Sequence, residues 1–121
     1  MASQVKLTLK DGVSPDKEYV FSDRTICTVG RAADCFLQLP ADLLHQSISR
    51  HHCLLDIDPP SVRVRDLGSR NGTFVNGCKI GQRDKTTRPE EAAVVDMPEF
   101  TVEEGDEIKL GEVTVLAVTV C

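Results

Sequence analysis

Short runs of alternating apolar and polar residues, separated by turn-forming residues, constrain this 121-residue chain most strongly. Val5, Leu7 and Leu9 alternate with polar residues, and residues 62–67 alternate in the same way. A two-residue period places the apolar side chains on one face of a β-strand. Further strands are predicted at residues 18–21, 26–29, 36–39, 52–57, 107–110 and 113–118, with a very short one at 73–75. Asn76-Gly77 after this short strand predicts a tight hairpin turn. Many short strands, frequent turns and almost no helical periodicity predict an all-β sandwich.

One segment departs from this pattern. Residues 82–98 are long for a hairpin connection. Pro89 followed by Glu90 and Glu91 is typical of the first turn of a helix. We therefore predict a short helical insertion near residues 82–98, with a turn that starts at about Pro89 and ends before Met97-Pro98.

Composition limits the class of protein. The length predicts a single domain over residues 1–121, large enough for its own hydrophobic core. The chain has neither an apolar run that could span a bilayer nor a signal-peptide core at its start, so we expect a cytoplasmic protein without membrane contact. The net charge of −5 argues against nucleic-acid binding. Residues 29–83 nevertheless carry a net positive charge, which is compatible with a local anion site or with chance scatter.

The five cysteines do not suggest a disulfide framework, because their number is odd and no Cys-x-x-Cys is present. Buried free thiols in a reducing compartment are the expected state. The sequence His51-His52-Cys53 contains metal-binding residue types, but neighbouring side chains on a strand point to opposite faces and cannot converge on one ion. We predict neither a metal site nor a cofactor.

Three polar clusters lie at the ends of predicted strands. Gly30-Arg31 directly follows a strand, residues 47–52 directly precede one, and residues 69–72 follow a third. A sandwich can bring such strand ends to one rim. Three guanidinium groups with hydroxyls and an amide suit a phosphate dianion. Two or three charge-assisted hydrogen bonds of about 1.5–3 kcal/mol each, with further peptide contacts, would give roughly micromolar affinity.

The ordered set of motifs closely resembles a forkhead-associated (FHA) domain. It consists of Gly30-Arg31, residues 49–52, residues 66–77 and residues 105–111, and it extends over nearly the whole chain. The resemblance implies an eleven-stranded, antiparallel-type β-sandwich. It also implies a protein-interaction module, not an enzyme, which binds phosphothreonine peptides through loops at one edge. Proteins with this domain often work beside serine/threonine kinases.

The resemblance implies a role for each site residue. Arg31 would pair with the phosphate, Ser49 would donate its hydroxyl to a phosphate oxygen, and Arg50 would add a further donor. Asn71 would hold the peptide main chain near the phosphothreonine. Arg70, which precedes it, would also face the peptide.

Other positions are expected to support the site or to set its selectivity. Gly30 would let two loops approach each other, His52 would brace the loop that carries Ser49, and Gly72 would support the neighbouring loop. Ser47 occupies a position where some family members carry an arginine that selects an acidic residue C-terminal to the phosphothreonine. A serine there does not support that preference.

Two alternatives remain open from the sequence. The same fold could act as a phospho-independent scaffold or self-association domain through the 82–98 insertion, which carries apolar Val94, Val95 and Met97. A hydrolase would have only Ser49 and His52 as nucleophile and base. The sequence shows no oxyanion hole or strained nucleophile turn to accompany them, so no enzymatic activity is predicted.

Overall fold

A computed structural model of the chain describes residues 3–10, 16–39, 48–82, 99–111 and 114–120. These residues form eleven strands and no helix, which confirms the predicted all-β fold. The strands are β1 (Val5–Lys10), β2 (Lys17–Phe21), β3 (Thr25–Gly30), β4 (Leu37–Gln38), β5 (Cys53–Asp58), β6 (Ser61–Asp66), β7 (Thr73–Val75), β8 (Cys78–Gly81), β9 (Glu99–Val102), β10 (Glu107–Leu110) and β11 (Thr114–Val120).

The strands form two sheets. One sheet has the order β2-β1-β11-β10-β7-β8 and the other β4-β3-β5-β6-β9. The pair β3 and β4 is parallel, with Val29 opposite Leu37 and Gly30 opposite Gln38, so the expected antiparallel arrangement is wrong at this edge. Residues 31–36 turn the chain back, and it rejoins the same edge in a two-residue parallel ladder.

The core lies between the sheets and follows directly from the alternation in the sequence. Val5, Leu7 and Leu9 of β1 are buried, as are Leu55 and Ile57 of β5. Burying one such side chain contributes about 1.5–3 kcal/mol relative to leaving it in water. The core therefore supplies a rigid support for the loops at the strand ends.

The predicted turn at Asn76-Gly77 connects β7 and β8. Its two residues have φ angles of 48° and 85°, and a tight hairpin turn of this type requires positive φ at both positions. The Asn76 side chain also donates to Asp106 Oδ1 at 2.9 Å and accepts from Glu107 N at 2.9 Å. The turn is therefore correctly predicted, and it additionally ties β7 to the start of β10.

Two strands have no clear signal in the sequence. In β8 only Ile80 is buried, and in β9 only Val102 is buried. Neither strand shows the regular alternation that identifies β1 or β6. The helical turn predicted from Pro89 lies in residues 83–98, outside the described residues.

The described cysteines are all free. Cys27, Cys35 and Cys53 are buried, as expected, whereas Cys78 is exposed on β8. Burial raises the pKa of Cys27 to about 12 and also raises that of Cys53. These two buried thiols are therefore protonated and unreactive at neutral pH.

The described part of the chain contains no helix with the length and apolar character needed to cross a bilayer.

Candidate functional site

Arg31 is held against the segment that precedes β5. Its backbone N–H donates to Ser49 O at 3.2 Å, and its Nε donates to Ile48 O at 2.5 Å. Within the part of the chain that the structure describes, neither terminal guanidinium nitrogen has a hydrogen-bond partner. The guanidinium is thus oriented by one nitrogen while its planar end can receive an anion.

Gly30 allows the close approach of these two segments. A Cβ atom at this position would lie 2.1 Å from Arg50 O and 2.7 Å from Arg50 C. The neighbouring backbone is bonded across the same gap, with Ala32 N donating to Arg50 O at 3.0 Å and His52 N donating to Val29 O at 2.8 Å. Any side chain at residue 30 would force Arg31 and Ser49 apart.

Ser49 connects two of the three polar clusters. Its hydroxyl oxygen accepts a hydrogen bond from Arg70 N at 2.9 Å. A hydroxyl has one proton to donate and two lone pairs to accept with. The contact with Arg70 uses one lone pair and leaves the proton of Ser49 available to a ligand.

The buried imidazole of His52 forms hydrogen bonds to the same two clusters. Its Nδ1 accepts from Ser49 N at 3.1 Å, and its Nε2 lies 2.8 Å from Gly72 O. Because a carbonyl oxygen only accepts, Nε2 carries the proton and Nδ1 does not. Burial lowers the pKa of His52 and so favours this neutral form.

This geometry also bears on catalysis. The contact between His52 and Ser49 is made by the Ser49 backbone N–H, and the Ser49 hydroxyl instead contacts Arg70 N. A nucleophile and its base require a hydrogen bond between hydroxyl and imidazole. The hydrogen bonds of these two residues are therefore those of a structural support.

Asp66 organises the loop between β6 and β7, a role that the sequence analysis did not assign. This buried carboxylate accepts from Gly68 N at 2.8 Å, Ser69 N at 2.9 Å, Ser69 Oγ at 2.5 Å and Thr73 Oγ1 at 2.6 Å. Four donors offset the cost of burying the charge. The signal in the sequence was an aspartate shortly before Gly-Ser, which is typical of an Asx turn.

Gly72 anchors the other end of this loop. It has a φ of 95° and donates its N–H to Ser69 Oγ at 3.0 Å. Its carbonyl accepts from His52 Nε2 and, at 3.1 Å, from Gly111 N. Gly72 therefore links the loop to both sheets, since His52 precedes β5 and Gly111 follows β10.

Arg70 and Asn71 lie between Asp66 and Gly72 in this loop. Arg70 is exposed, and its carbonyl accepts from Gln82 Nε2 at 2.7 Å. Asn71 is half-buried and lines an open cavity of about 370 Å³ together with Phe74 and Lys109. The loop thus presents Asn71 beside a recess.

The chain matches the FHA domain family over residues 27–111, a range that includes every site residue described above. The chain belongs to the FHA domain family. A curated relative, the protein C3H7.13 of Schizosaccharomyces pombe, is 32% identical over 108 residues, or 85% of this chain. This chain spans 36% of the length of that relative.

Solved structures show the same fold. The FHA domain of CT664 from Chlamydia trachomatis superposes with a TM-score of 0.71 at 24% identity, with 96% of each chain covered. An FHA domain from a structural and functional analysis of phosphothreonine-dependent FHA domain interactions has a TM-score of 0.67 at 26% identity. That comparison covers 96% of this chain and 95% of the other. The predicted FHA β-sandwich is confirmed, and this fold is that of a binding module.

In this FHA domain, hydrogen bonds and close backbone packing bring together most of the predicted site residues. Arg31, Ser49 and Arg70 are joined by hydrogen bonds, and Arg50 packs against Gly30. Asn71 follows Arg70 directly in the chain. Ser47, the position considered for peptide selectivity, lies outside the described residues.

Proposed function

We propose that this FHA domain binds phosphothreonine peptides at the edge formed by Arg31, Ser49, Arg50, Arg70 and Asn71. One observation carries the proposal: Ser49 bonds to Arg31 N through its carbonyl and to Arg70 N through its hydroxyl oxygen. Two arginine-bearing segments are thereby fixed around one hydroxyl that still has a proton to donate. Such preorganised donors suit a phosphate oxygen.

The charges of the site fit a phosphate group. A phosphothreonine carries about −1.5 to −2 charges at pH 7 and has three strong acceptor oxygens. The planar end of Arg31 can contact two of these oxygens, and the hydroxyl of Ser49 can donate to one. Arg50 and Arg70 are exposed beside them and add positive charge.

Asn71 would hold the main chain of the same peptide. An amide side chain offers both a donor and an acceptor, which matches the donor and acceptor of a backbone peptide unit. Its half-buried position on a loop fixed by Asp66 and Gly72 supports this role. The 26% identical FHA domain from the study of phosphothreonine-dependent interactions supports the ligand class.

We extend the proposal to the location of the domain and to its partners. We infer that residues 1–121 form one binding domain in the cytoplasm, with a phosphothreonine-containing protein as partner and a serine/threonine kinase as the source of the phosphate. The phospho-independent alternative depends on the 82–98 insertion and stays a prediction, because residues 83–98 lie outside the described part of the chain.

An oriented peptide library tests the ligand class. The library is prepared with phosphothreonine, phosphoserine or threonine at one fixed position, and the bound fraction is sequenced. We expect retention of the phosphothreonine pool alone, with flanking preferences read from the same data. Equal retention of the threonine pool would contradict the proposal. Loss of self-association on deletion of residues 84–97, without competition by phosphate, would favour the alternative.

A further inference from the structure

Three metal-binding side chains converge beside the predicted peptide site. His51 Nε2 lies 2.9 Å and 3.1 Å from the two carboxylate oxygens of Asp34. The Sγ atom of Cys35 completes the group, and the three donor atoms lie within 4.8 Å of one another. Asp34 and Cys35 follow β3, whereas His51 precedes β5.

The sequence could not reveal this cluster. His51 and His52 do point apart, since His51 is exposed and His52 is buried. The partner of His51 is instead a residue 17 positions earlier in the chain. Only the antiparallel pairing of β3 with β5 brings these two segments together.

The spacing of the donors is close to that of a tetrahedral zinc site. Zinc binds thiolate at about 2.3 Å and imidazole or carboxylate at about 2.0–2.2 Å, which places two donor atoms roughly 3.2–3.6 Å apart. The nitrogen of His51 and the oxygens of Asp34 are near that separation. The three donor atoms lie within 4.8 Å of one another, so movements of at most about 1.5 Å would complete the geometry.

We propose that Asp34, Cys35 and His51 bind one zinc-type divalent cation, with the fourth position open to water. A thiolate with an imidazole favours zinc over magnesium or calcium, which prefer oxygen donors. The side chains of His51 and Asp34 are 48% and 74% exposed, so the ion can enter from solvent. On binding, the Cys35 thiol loses its proton to water, and its sulfur forms a bond to the metal ion.

Binding replaces existing contacts of the three side chains. The Cys35 thiol now donates to Arg50 O at 3.2 Å, and this carbonyl keeps its hydrogen bond from Ala32 N after the thiol ligates the ion. Arg50 also lies near enough to the Asp34 carboxylate to act on it electrostatically, which opposes a cation and limits the affinity. The ion would clamp the segment after β3 to the segment before β5.

Cobalt(II) is the probe, because a cobalt–thiolate bond gives a charge-transfer absorption band. The untagged, reduced full chain is titrated with CoCl₂ in phosphate-free buffer, and ZnCl₂ is then added as competitor. We expect one ion per chain, a thiolate band and its loss on addition of zinc. Calorimetry with ZnCl₂ gives the same stoichiometry independently.

Substitutions distinguish metal binding by this cluster from binding by the other cysteines and histidines. His51→Ala and Asp34→Asn alter exposed side chains, so they should fold normally, and each should weaken binding at least about tenfold because even outer-sphere changes cost that much. Cys35→Ser should remove the charge-transfer band. Cys78→Ser, which changes the exposed thiol, should leave both binding and band unchanged.

The absence of a thiolate band in the unaltered chain would overturn the proposal. Unchanged zinc affinity in His51→Ala, or loss of the band in Cys78→Ser, would overturn it equally. Because no peptide is present in these titrations, their outcome is independent of phosphothreonine binding.

Discussion

The imidazole of His52 donates a hydrogen bond to the carbonyl of Gly72 over a distance of 2.8 Å. The two residues are 20 positions apart, in different loops of the predicted site. The other ring nitrogen of His52 accepts from Ser49 N, so one buried side chain fixes both the serine loop and the Asn71 loop. The distance from the predicted phosphate donor Ser49 to Asn71, the predicted contact to the peptide main chain, therefore depends on the neutral form of His52.

Acidification should destabilise the domain through His52. Burial lowers the pKa of this histidine in the folded state, so the unfolded chain binds more protons as the pH falls. Stability is fully present above the unfolded value of about 6.5 and is lost as the pH drops through that value towards the folded pKa. Urea unfolding at a series of pH values measures the slope.

The variant His52→Gln assigns this slope to His52, because glutamine cannot titrate in this range. The variant should have a flatter dependence of unfolding free energy on pH, even if it is less stable throughout. A slope as steep as that of the unaltered chain would show that another group is responsible.

Gly30→Ala should damage both stability and peptide binding. The new Cβ would lie 2.1 Å from Arg50 O, and the backbone must move to relieve the overlap. Such overpacking costs about 1–3 kcal/mol. Denaturant unfolding and peptide titration on the same variant measure the two effects.

Gly105→Ala is the matched control for that substitution. Gly105 has a φ of 86°, and a Cβ atom added there would meet nothing within 4 Å, so alanine introduces backbone strain without a clash. We expect a loss of about 1–2 kcal/mol in stability and unchanged peptide affinity. Equal losses of affinity in both variants would mean that close packing at Gly30 does not position the site.

Asp66→Ala should be strongly destabilising. The substitution removes the acceptor of two backbone N–H groups and of the hydroxyls of Ser69 and Thr73, all at buried residues. Each unsatisfied donor costs about 1–3 kcal/mol, and we expect a total loss of at least about 3 kcal/mol in unfolding free energy. Asp58→Ala, at an exposed aspartate, should change stability by less than about 0.5 kcal/mol. Similar losses in the two variants would contradict the assigned role.

Ser49→Ala should weaken phosphothreonine binding while leaving the fold intact. It removes the predicted hydroxyl donor to the phosphate and the acceptor of Arg70 N, which can bond to water at this exposed residue instead. A hydrogen bond to a charged group is worth about 1.5–3 kcal/mol, which corresponds to roughly 10–150-fold in affinity. Ser49→Thr keeps the hydroxyl and should retain most of the binding in calorimetric titrations. Undiminished affinity in Ser49→Ala would exclude this hydroxyl as a phosphate donor.

The sequence was informative where local rules determine the structure. Alternation in β1 and β6 identified their buried faces, and Asn76-Gly77 identified a tight turn, because side-chain period and positive φ are local properties. The sequence did not predict β8 and β9, because each buries only one residue and shows no alternation.

The family resemblance named candidate site residues, but the sequence did not predict the hydrogen bonds between them. The family resemblance pointed to Arg31 and Ser49, yet the Ser49–Arg70 contact and the four donors around Asp66 depend on the three-dimensional path of the loops. The approach of His51 to Asp34 likewise requires the pairing of β3 with β5. Such long-range contacts have no local signature in a single sequence.

Calorimetric titration of one phosphothreonine peptide, taken from the selected library pool, into the unaltered chain and into Arg31→Ala tests phosphate recognition most directly. Arg31 contributes the guanidinium that is fixed by Ile48 O, so its removal should weaken binding at least about tenfold, to the level of the unphosphorylated peptide. Arg63→Ala, at an exposed arginine of β6, should bind like the unaltered chain. Equal affinity of the unaltered chain and Arg31→Ala for the phosphothreonine peptide would contradict phosphate binding at this edge.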